Sequence, residues 1–558
     1  MKNILFFLIV LFNYKLNAQT ISKDKIEQID SLFNEWDKAN SPGCVIGIIK
    51  DGKFIYQRGY GIANLDHGIQ ISPNTTFDIA SMSKQFTATA IILLQQQGKL
   101  SLDDSVRKYI PELPSYDKII TIRQMLNHTS GLRDYENLLK LSGKEEEQVV
   151  TSQEALNIIT KQKKLNFNSG EDWDYSNTGF FLSSLIIERV SGLSMKAFCE
   201  QNIFGPLGMK NTFFLDNRSD IVPFRATGYS PKETGGFQIN MSNWEQTGDG
   251  AIQTNCNDLL LWDKNFYDQK LGGLNLIKLL TSTGTLSSGE SLYYTLGLFK
   301  ENFNGLELFH HGGNFAGYSS ELLRFPNEKF SVICLSNLAS FDASALAREI
   351  ATIYFSDEIT RINKLEDIKG TKSIKQLSIK NINSFVGYYH SEYNDILREV
   401  SEENKKLYYV RNSENKSELI YRGNDEFIIK DIGIAVKFSY DENKKVSAMN
   451  IKVGGVKPTI LYKYTPVNFI KDKLIDTNGD YFSDELNITY NVHLGDSALI
   501  LTPKNGDPLI MNPVTENSFV DESNEVSIEL IRNKNNKIDS FYLTVSRVRK
   551  ILFRRLDK

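Results

Sequence analysis

From about residue 381 to the end, the chain repeats itself. Gly387, Tyr389, Ser391, Val400, Leu407, Phe427 and Val453 recur 92 positions later as Gly479, Tyr481, Ser483, Val492, Leu499, Phe519 and Val545. The register holds without a gap to Val456 and Val548, then slips by one. Seven matches at one offset indicate a tandem duplication. Units of about 90 residues are large enough to bury their own cores. Both copies are strand-like throughout, so each must close its own sheet edges. Two tandem antiparallel β-barrel-like domains follow, at 381–466 and 467–558. Neither copy contains a convincing catalytic set, which leaves them a structural or substrate-shaping role.

The rest of the chain is organised differently. MKNILFFLIVLFNYKLNAQ has an early lysine, a short apolar run and Ala18 near its end. This is the pattern of a signal peptide over residues 1–18, too short to span a membrane. It implies a periplasmic or secreted protein. No cysteine near the cleavage region suggests a lipid, so no membrane anchor is expected. An amphipathic helix is expected near Ile26–Ala39. CVIGIIK and KFIYQRGYG flank Asp51-Gly52, a hairpin signal. Helical patterns dominate from Ser81 to about Leu207, among them 154–161 and Thr178–Val190. Strands return near 306–309, 319–325 and 330–336, before a helix at about 343–355. The expectation for 19–363 is an α+β domain. Its antiparallel sheet is completed by both ends of the segment and flanked by helices, with a helical lobe across a cleft. The polar, lysine-rich stretch 364–380 suggests a linker.

Charge and metal-ligand spacing exclude several classes. The net charge of −4 and the lack of a basic surface argue against nucleic acid as a partner. The six histidines show no metal spacing. Asp476-Thr477-Asn478-Gly479-Asp480 begins like a calcium loop, but Tyr481 stands where glycine is needed and Asn487 where glutamate is needed. Gly59-Tyr60-Gly61 lacks the third glycine of a dinucleotide fingerprint. No cofactor and no metal are implied. Cys44, Cys199, Cys256 and Cys334 lie far apart in apolar surroundings and are expected as buried thiols.

Three short motifs carry chemistry. Ser81-Met82-Ser83-Lys84 opens an apolar helix after the strand-like TFDIA. Residues at i and i+3 share a helical face, so the serine hydroxyl and the lysine amine can meet. A serine needs a neighbouring base to become a nucleophile. A lysine in an apolar pocket gives up its proton more readily and can be that base. The same spacing at Ser22–Lys25, Ser105–Lys108, Ser115–Lys118 and Ser413–Lys416 falls in more polar surroundings. Tyr175-Ser176-Asn177 lies in the loop before the Thr178 helix. Its phenol can exchange protons beside a lysine, and its amide can hold lysine and substrate. His311-Gly312-Gly313, between two strands, lets a substrate backbone lie along a strand edge. A backbone N–H there, with that of Ser81, can bind an oxyanion.

The order Ser-x-x-Lys, Tyr-x-Asn, His-x-Gly resembles the serine β-lactamase and penicillin-binding family. More narrowly it is similar to the class C β-lactamase and D-stereospecific peptidase group, which includes esterases. TIRQMLNHTSGL (121–132) and PLGMKNT (206–212) add to the resemblance, which runs from about 26 to 356. It implies that Ser81 is the acylated nucleophile and Lys84 its base. Tyr175 would be a proton shuttle, and Asn177, His311 and Gly313 would be substrate-binding. Ser81 and Asn314 would supply the oxyanion N–H groups. True β-lactamases carry lysine where His311 stands, and a mostly neutral imidazole attracts a carboxylate less. The resemblance therefore implies a small peptide, amide or ester substrate. Peptides and amides with D-residues come first, carboxylic esters next and β-lactams third. The rival reading is a catalytically weak protein that binds cell-wall fragments.

Overall fold

A computed structural model of the chain describes residues 21–145, 147–368, 382–391, 396–412, 415–430, 434–452, 458–504 and 506–556. The expected signal peptide, most of the expected linker, and Val453 and Val456 of the repeat lie outside these residues.

The first helix, α1 (Lys23–Ser31), begins and ends earlier than expected because Ser22 caps it, accepting from the Lys25 N–H at 3.4 Å. It ends as the chain tightens into turns, in which Leu32 and Phe33 donate to carbonyls three residues back. β1 (Cys44–Lys50) and β2 (Lys53–Tyr60) then form the expected hairpin. Asp51 and Gly52 both take positive φ at its tip, at 50° and 73°, as a type I′ turn requires. After the helical lobe the sheet is completed by β3 (Phe299–Phe303), β4 (Leu306–Phe315), β5 (Tyr318–Phe325) and β6 (Phe330–Ser336). The order is β3-β4-β5-β6-β1-β2, antiparallel throughout, so both ends of the segment build one sheet. Every residue of β5 and β6 is buried, as befits strands covered on both faces.

Two helices of the lobe matter for the site: α2 (Lys84–Gln96) and α3 (Asn177–Ser191). α4 (Ala343–Tyr354) packs on the other face of the sheet with α1. A further helix, Ser356–Ile368, continues into the stretch expected to open the linker.

The duplicated region forms two closed eight-stranded antiparallel barrels. Their first strands, Gly387–Ser391 and Gly479–Ser483, keep the 92-residue offset. The phenols of Tyr389 and Tyr481 each donate to the carbonyl four residues back, Phe385 O and Thr477 O. The repeat thus conserves a buried hydrogen bond as well as an apolar pattern. The first barrel has a separate core. The core of the second is continuous with that of the lobe.

That docking is polar as well as apolar. Arg133, 3% exposed, pairs with buried Glu485 at 2.7 Å and donates to the carbonyls of Arg549 and Lys550 at 2.7 and 3.0 Å. Tyr490 donates to Leu141 O at 3.0 Å. The four cysteines are buried thiols. Among the described residues, no helix is long and apolar enough to cross a membrane.

Candidate active site

Ser81 sits in a sharp turn. The short strand Phe77–Asp78 leads into a 3₁₀ turn, Ala80–Ser83, which runs directly into α2. Ala80 is forced to φ +46°, a region costly for a residue with a Cβ. The Asp78 carboxylate holds this backbone by accepting from Ala80 N at 2.8 Å, and Gln253 holds Asp78 in turn at 2.8 Å. Past this turn, Ser81 lines a cavity of about 530 Å³ between sheet and lobe.

Lys84 is fully buried beneath it. Its Nζ lies 2.9 Å from Ser81 Oγ, 2.7 Å from Asn177 Oδ1 and 2.8 Å from the Asp249 carbonyl oxygen. These three acceptors match the three donors of a lysine ammonium. Asn177, first residue of α3, is fixed through its own N–H, which donates to Asp134 Oδ2 at 2.7 Å. Tyr175 hangs in the loop before α3, its ring centre 4.9 Å from Lys84 Nζ. Its hydroxyl is buried and has no hydrogen-bond partner among the described residues. The Ser-x-x-Lys and Tyr-x-Asn elements are 91 residues apart in sequence and are brought into contact here.

The third element crosses them. β4 passes so close to the nucleophile turn that a methyl group on Gly313 would stand 2.2 Å from Ile79 O and 2.8 Å from Ser81 N. Only glycine fits there. Asn314, the next residue, is exposed to the cavity. His311 also lines it, but its ring is engaged on both nitrogens. Nδ1 lies 2.6 Å from Gly312 O and Nε2 3.0 Å from Tyr294 Oη. A carbonyl can only accept, so Nδ1 carries the proton and Nε2 accepts from the phenol. Burial, and then the charge of Lys84, push His311 down to about 3, so its ring is neutral. His310 is the opposite case. Burial opposes its charge, yet Glu321 and Glu301 outweigh it and raise it to about 9.

Several wall residues were not singled out from sequence. His128, inside TIRQMLNHTSGL, packs its ring 4.2 Å from that of Tyr175 and accepts from Ser176 N at 3.2 Å. Burial and the nearby Lys84 keep it neutral. Tyr294 joins His128 to His311. Glu136 lines the cavity, and burial, with Asp134 and Asp249 nearby, raises its carboxyl well above the usual range. Arg547 enters from the second barrel, from the turn between strands Ile538–Val545 and Val548–Arg555. His128 lay in a stretch the sequence marks, and Glu136 in Tyr135-Glu136-Asn137, which repeats the Tyr-x-Asn spacing; Tyr294 and Arg547 carry no local signal.

Comparison with known proteins bears on the family and the fold. Residues 29–354 match the family model described as Beta-lactamase. Penicillin-binding protein 4* of Bacillus subtilis is 25% identical over 459 residues, covering 79% of this chain and all of that protein. A D-aminopeptidase of Gluconobacter oxydans is 29% identical over 312 residues. That alignment covers 56% of this chain and 58% of the relative. The solved octameric penicillin-binding protein homologue from Pyrococcus abyssi superposes with a TM-score of 0.53 at 24% identity, over 78% of this chain and 99% of that one. The chain belongs to the beta-lactamase family of serine hydrolases.

Proposed function

We propose that this is an exported serine hydrolase that works through a covalent acyl-enzyme on Ser81. Its preferred substrates are small peptides and amides containing D-residues, ahead of carboxylic esters and β-lactams. The observation that carries the reading is the 2.9 Å contact between Ser81 Oγ and Lys84 Nζ at the floor of a cavity shared with Tyr175.

Ser81 Oγ attacks the substrate carbonyl carbon, and its proton passes to the Lys84–Tyr175 pair, which enters the step one proton short, as amine with phenol or ammonium with phenolate. The carbonyl oxygen becomes an oxyanion held by the N–H groups of Ser81 and Asn314. As the C–N bond breaks, the pair returns the proton to the leaving nitrogen, and the acyl group stays on Ser81. A water molecule then gives one proton to the pair and attacks the ester. Collapse releases the acid and restores the serine hydroxyl. Asn177 keeps Lys84 aimed at Ser81 and orients the substrate. His311 and Gly313 line the edge along which the substrate lies.

The resemblance to D-aminopeptidases supports the D-residue preference. The neutral His311 supports ranking β-lactams last, because it offers no ammonium to their carboxylate. The pattern of residues 1–18 supports export. Turnover of a D-aminoacyl amide by wild type and by Ser81→Ala tests the proposal. Turnover should vanish in the variant while the melting temperature stays near wild type. Retained turnover would refute it.

A further inference from the structure

We propose that Trp173, Tyr293 and Phe299 form a subsite for the leaving fragment, and that the favoured substrate carries an aromatic side chain on its departing residue. This rests on the hydrolase reading above and names the substrate class for it.

The three rings make one continuous wall. The ring centres of Trp173 and Tyr293 lie 4.9 Å apart. Those of Tyr293 and Phe299 lie 5.7 Å apart, with their planes 20° from parallel. All three line the cavity that holds Ser81, and each is only half-buried, so part of every ring faces open space. Trp173 packs edge-on against His128, and Phe299 stacks on His310 at 5.3 Å. None of the three carries charge, since burial, and then the nearby Asp174 and Glu301, push the Tyr293 phenol up. Both of those carboxylates are engaged elsewhere, Asp174 with Arg549 and Glu301 with His310 and Arg348. The wall therefore offers apolar ring surface and no ion, which suits an aromatic side chain of the substrate.

Its place along the substrate edge is also defined. β3 pairs with β4 as far as Phe299 and His310. Past His310, among the described residues, no strand pairs with β4 on that side, so its edge is open from His311 to Phe315. Phe299 closes the His311 end of this edge. Trp244 and Phe315, 6.3 Å apart, stand at the other end. Tyr175 decides which end receives the leaving fragment. Its ring lies 6.2 Å from that of His311 and 6.4 Å from that of Tyr294. It belongs to the pair that returns a proton to the leaving nitrogen. The departing residue thus runs past His311 onto Tyr293 and Phe299, and the acyl residue runs towards Asn314 and Phe315.

Tyr293 is the ring to change, because its backbone is held independently of its side chain: Tyr293 O accepts from Lys300 N at 2.7 Å. D-alanyl-D-phenylalanine amide and D-alanyl-D-alanine amide differ by one phenyl ring on the departing residue. The quantity read is the ratio of kcat/KM, first over second, for cleavage between the two residues. Wild type should favour the phenyl substrate by about 10- to 100-fold, the weight of burying one aromatic side chain. In Tyr293→Ala the ratio should fall towards 1, and in Tyr293→Phe, which keeps the ring, it should hold. D-phenylalanyl-D-alanine amide places the ring on the acyl residue instead. Its ratio to D-alanyl-D-alanine amide should be the same in wild type and Tyr293→Ala. A wild-type leaving-side ratio near 1, equal losses on all substrates in Tyr293→Ala, or a change in the acyl-side ratio instead would overturn the proposal. Calorimetric binding of the same dipeptide amides to Ser81→Ala, with and without Tyr293→Ala, reads the preference without turnover. A hydrolase reading that fails therefore remains distinguishable from a failed subsite.

Discussion

Lys84 Nζ and Asn177 Oδ1 lie 2.7 Å apart, a single bond that ties the helix following the nucleophile to the first residue of α3. Asn177 is anchored to Asp134 through its own backbone N–H, so the side chain that aims the lysine stands on a fixed backbone. A hydrogen bond to a charged group contributes about 1.5–3 kcal/mol. Asn177→Ala should therefore lower kcat by about 10- to 150-fold. Steady-state kinetics on an amide substrate, with melting temperature as the control for folding, check this. Unchanged kcat would remove Asn177 from the machinery.

Gly313 tests how closely β4 must pass the nucleophile. The methyl of Gly313→Ala would meet the Ile79 and Ser81 backbone, neither of which can rotate away. A shift of about 1 Å at the reacting serine is enough for a loss on the order of 100-fold in kcat/KM. Gly312→Ala offers a milder contrast, because its methyl meets the Glu321 carboxylate at 2.8 Å and the Ser320 carbonyl only at 3.1 Å, against 2.2 Å to backbone at Gly313. It should cost less activity than Gly313→Ala when the two are assayed side by side.

The Arg133–Glu485 pair fixes the second barrel to the lobe. Arg133→Ala leaves a buried carboxylate without its cation, which costs about 3–5 kcal/mol. Urea unfolding should show that loss, and limited proteolysis should cut the second barrel sooner than in wild type. Because Arg133 also holds the carbonyls of Arg549 and Lys550, the Arg547 turn should loosen with it.

The His310 cluster gives a pH signature. His310 is raised from 6.5 to about 9 by Glu321 and Glu301 against the opposing effect of burial. A folded-state value above the unfolded one means the pair stabilises fully below pH 6.5 and loses that contribution as pH rises through about 9. The urea midpoint of wild type should fall across that window. His310→Gln should start lower and stay flatter, and parallel profiles for the two proteins would contradict the assignment.

The fold was readable where periodicity and turn chemistry act locally. Asp51-Gly52 marked its hairpin, and the 92-residue repeat marked the two barrels, down to the paired tyrosines. Ser81, Lys84, Tyr175 and Asn177 were readable because they stand in short motifs that are brought together in the structure. Helix ends were less legible: α1 starts at Lys23 because Ser22 caps it, and the helix after Phe355 extends to Ile368, into the start of a polar stretch that reads as a linker. Arg547 was not legible at all. In RVRKILFRR it is one basic residue of a final strand, and only the closing of a barrel against the lobe brings it to Tyr175. His311 was legible as a position but not as a state, since its neutrality comes from burial and from the charge of Lys84, which only the folded chain brings near it.

The most direct test is the intact mass of the protein after brief incubation with an activated short-chain ester, for wild type and for Ser81→Ala. The account predicts a mass increase of one acyl group on wild type and none on the variant. Ester consumption equal in the two proteins, with no adduct on either, would contradict an acyl-enzyme on Ser81.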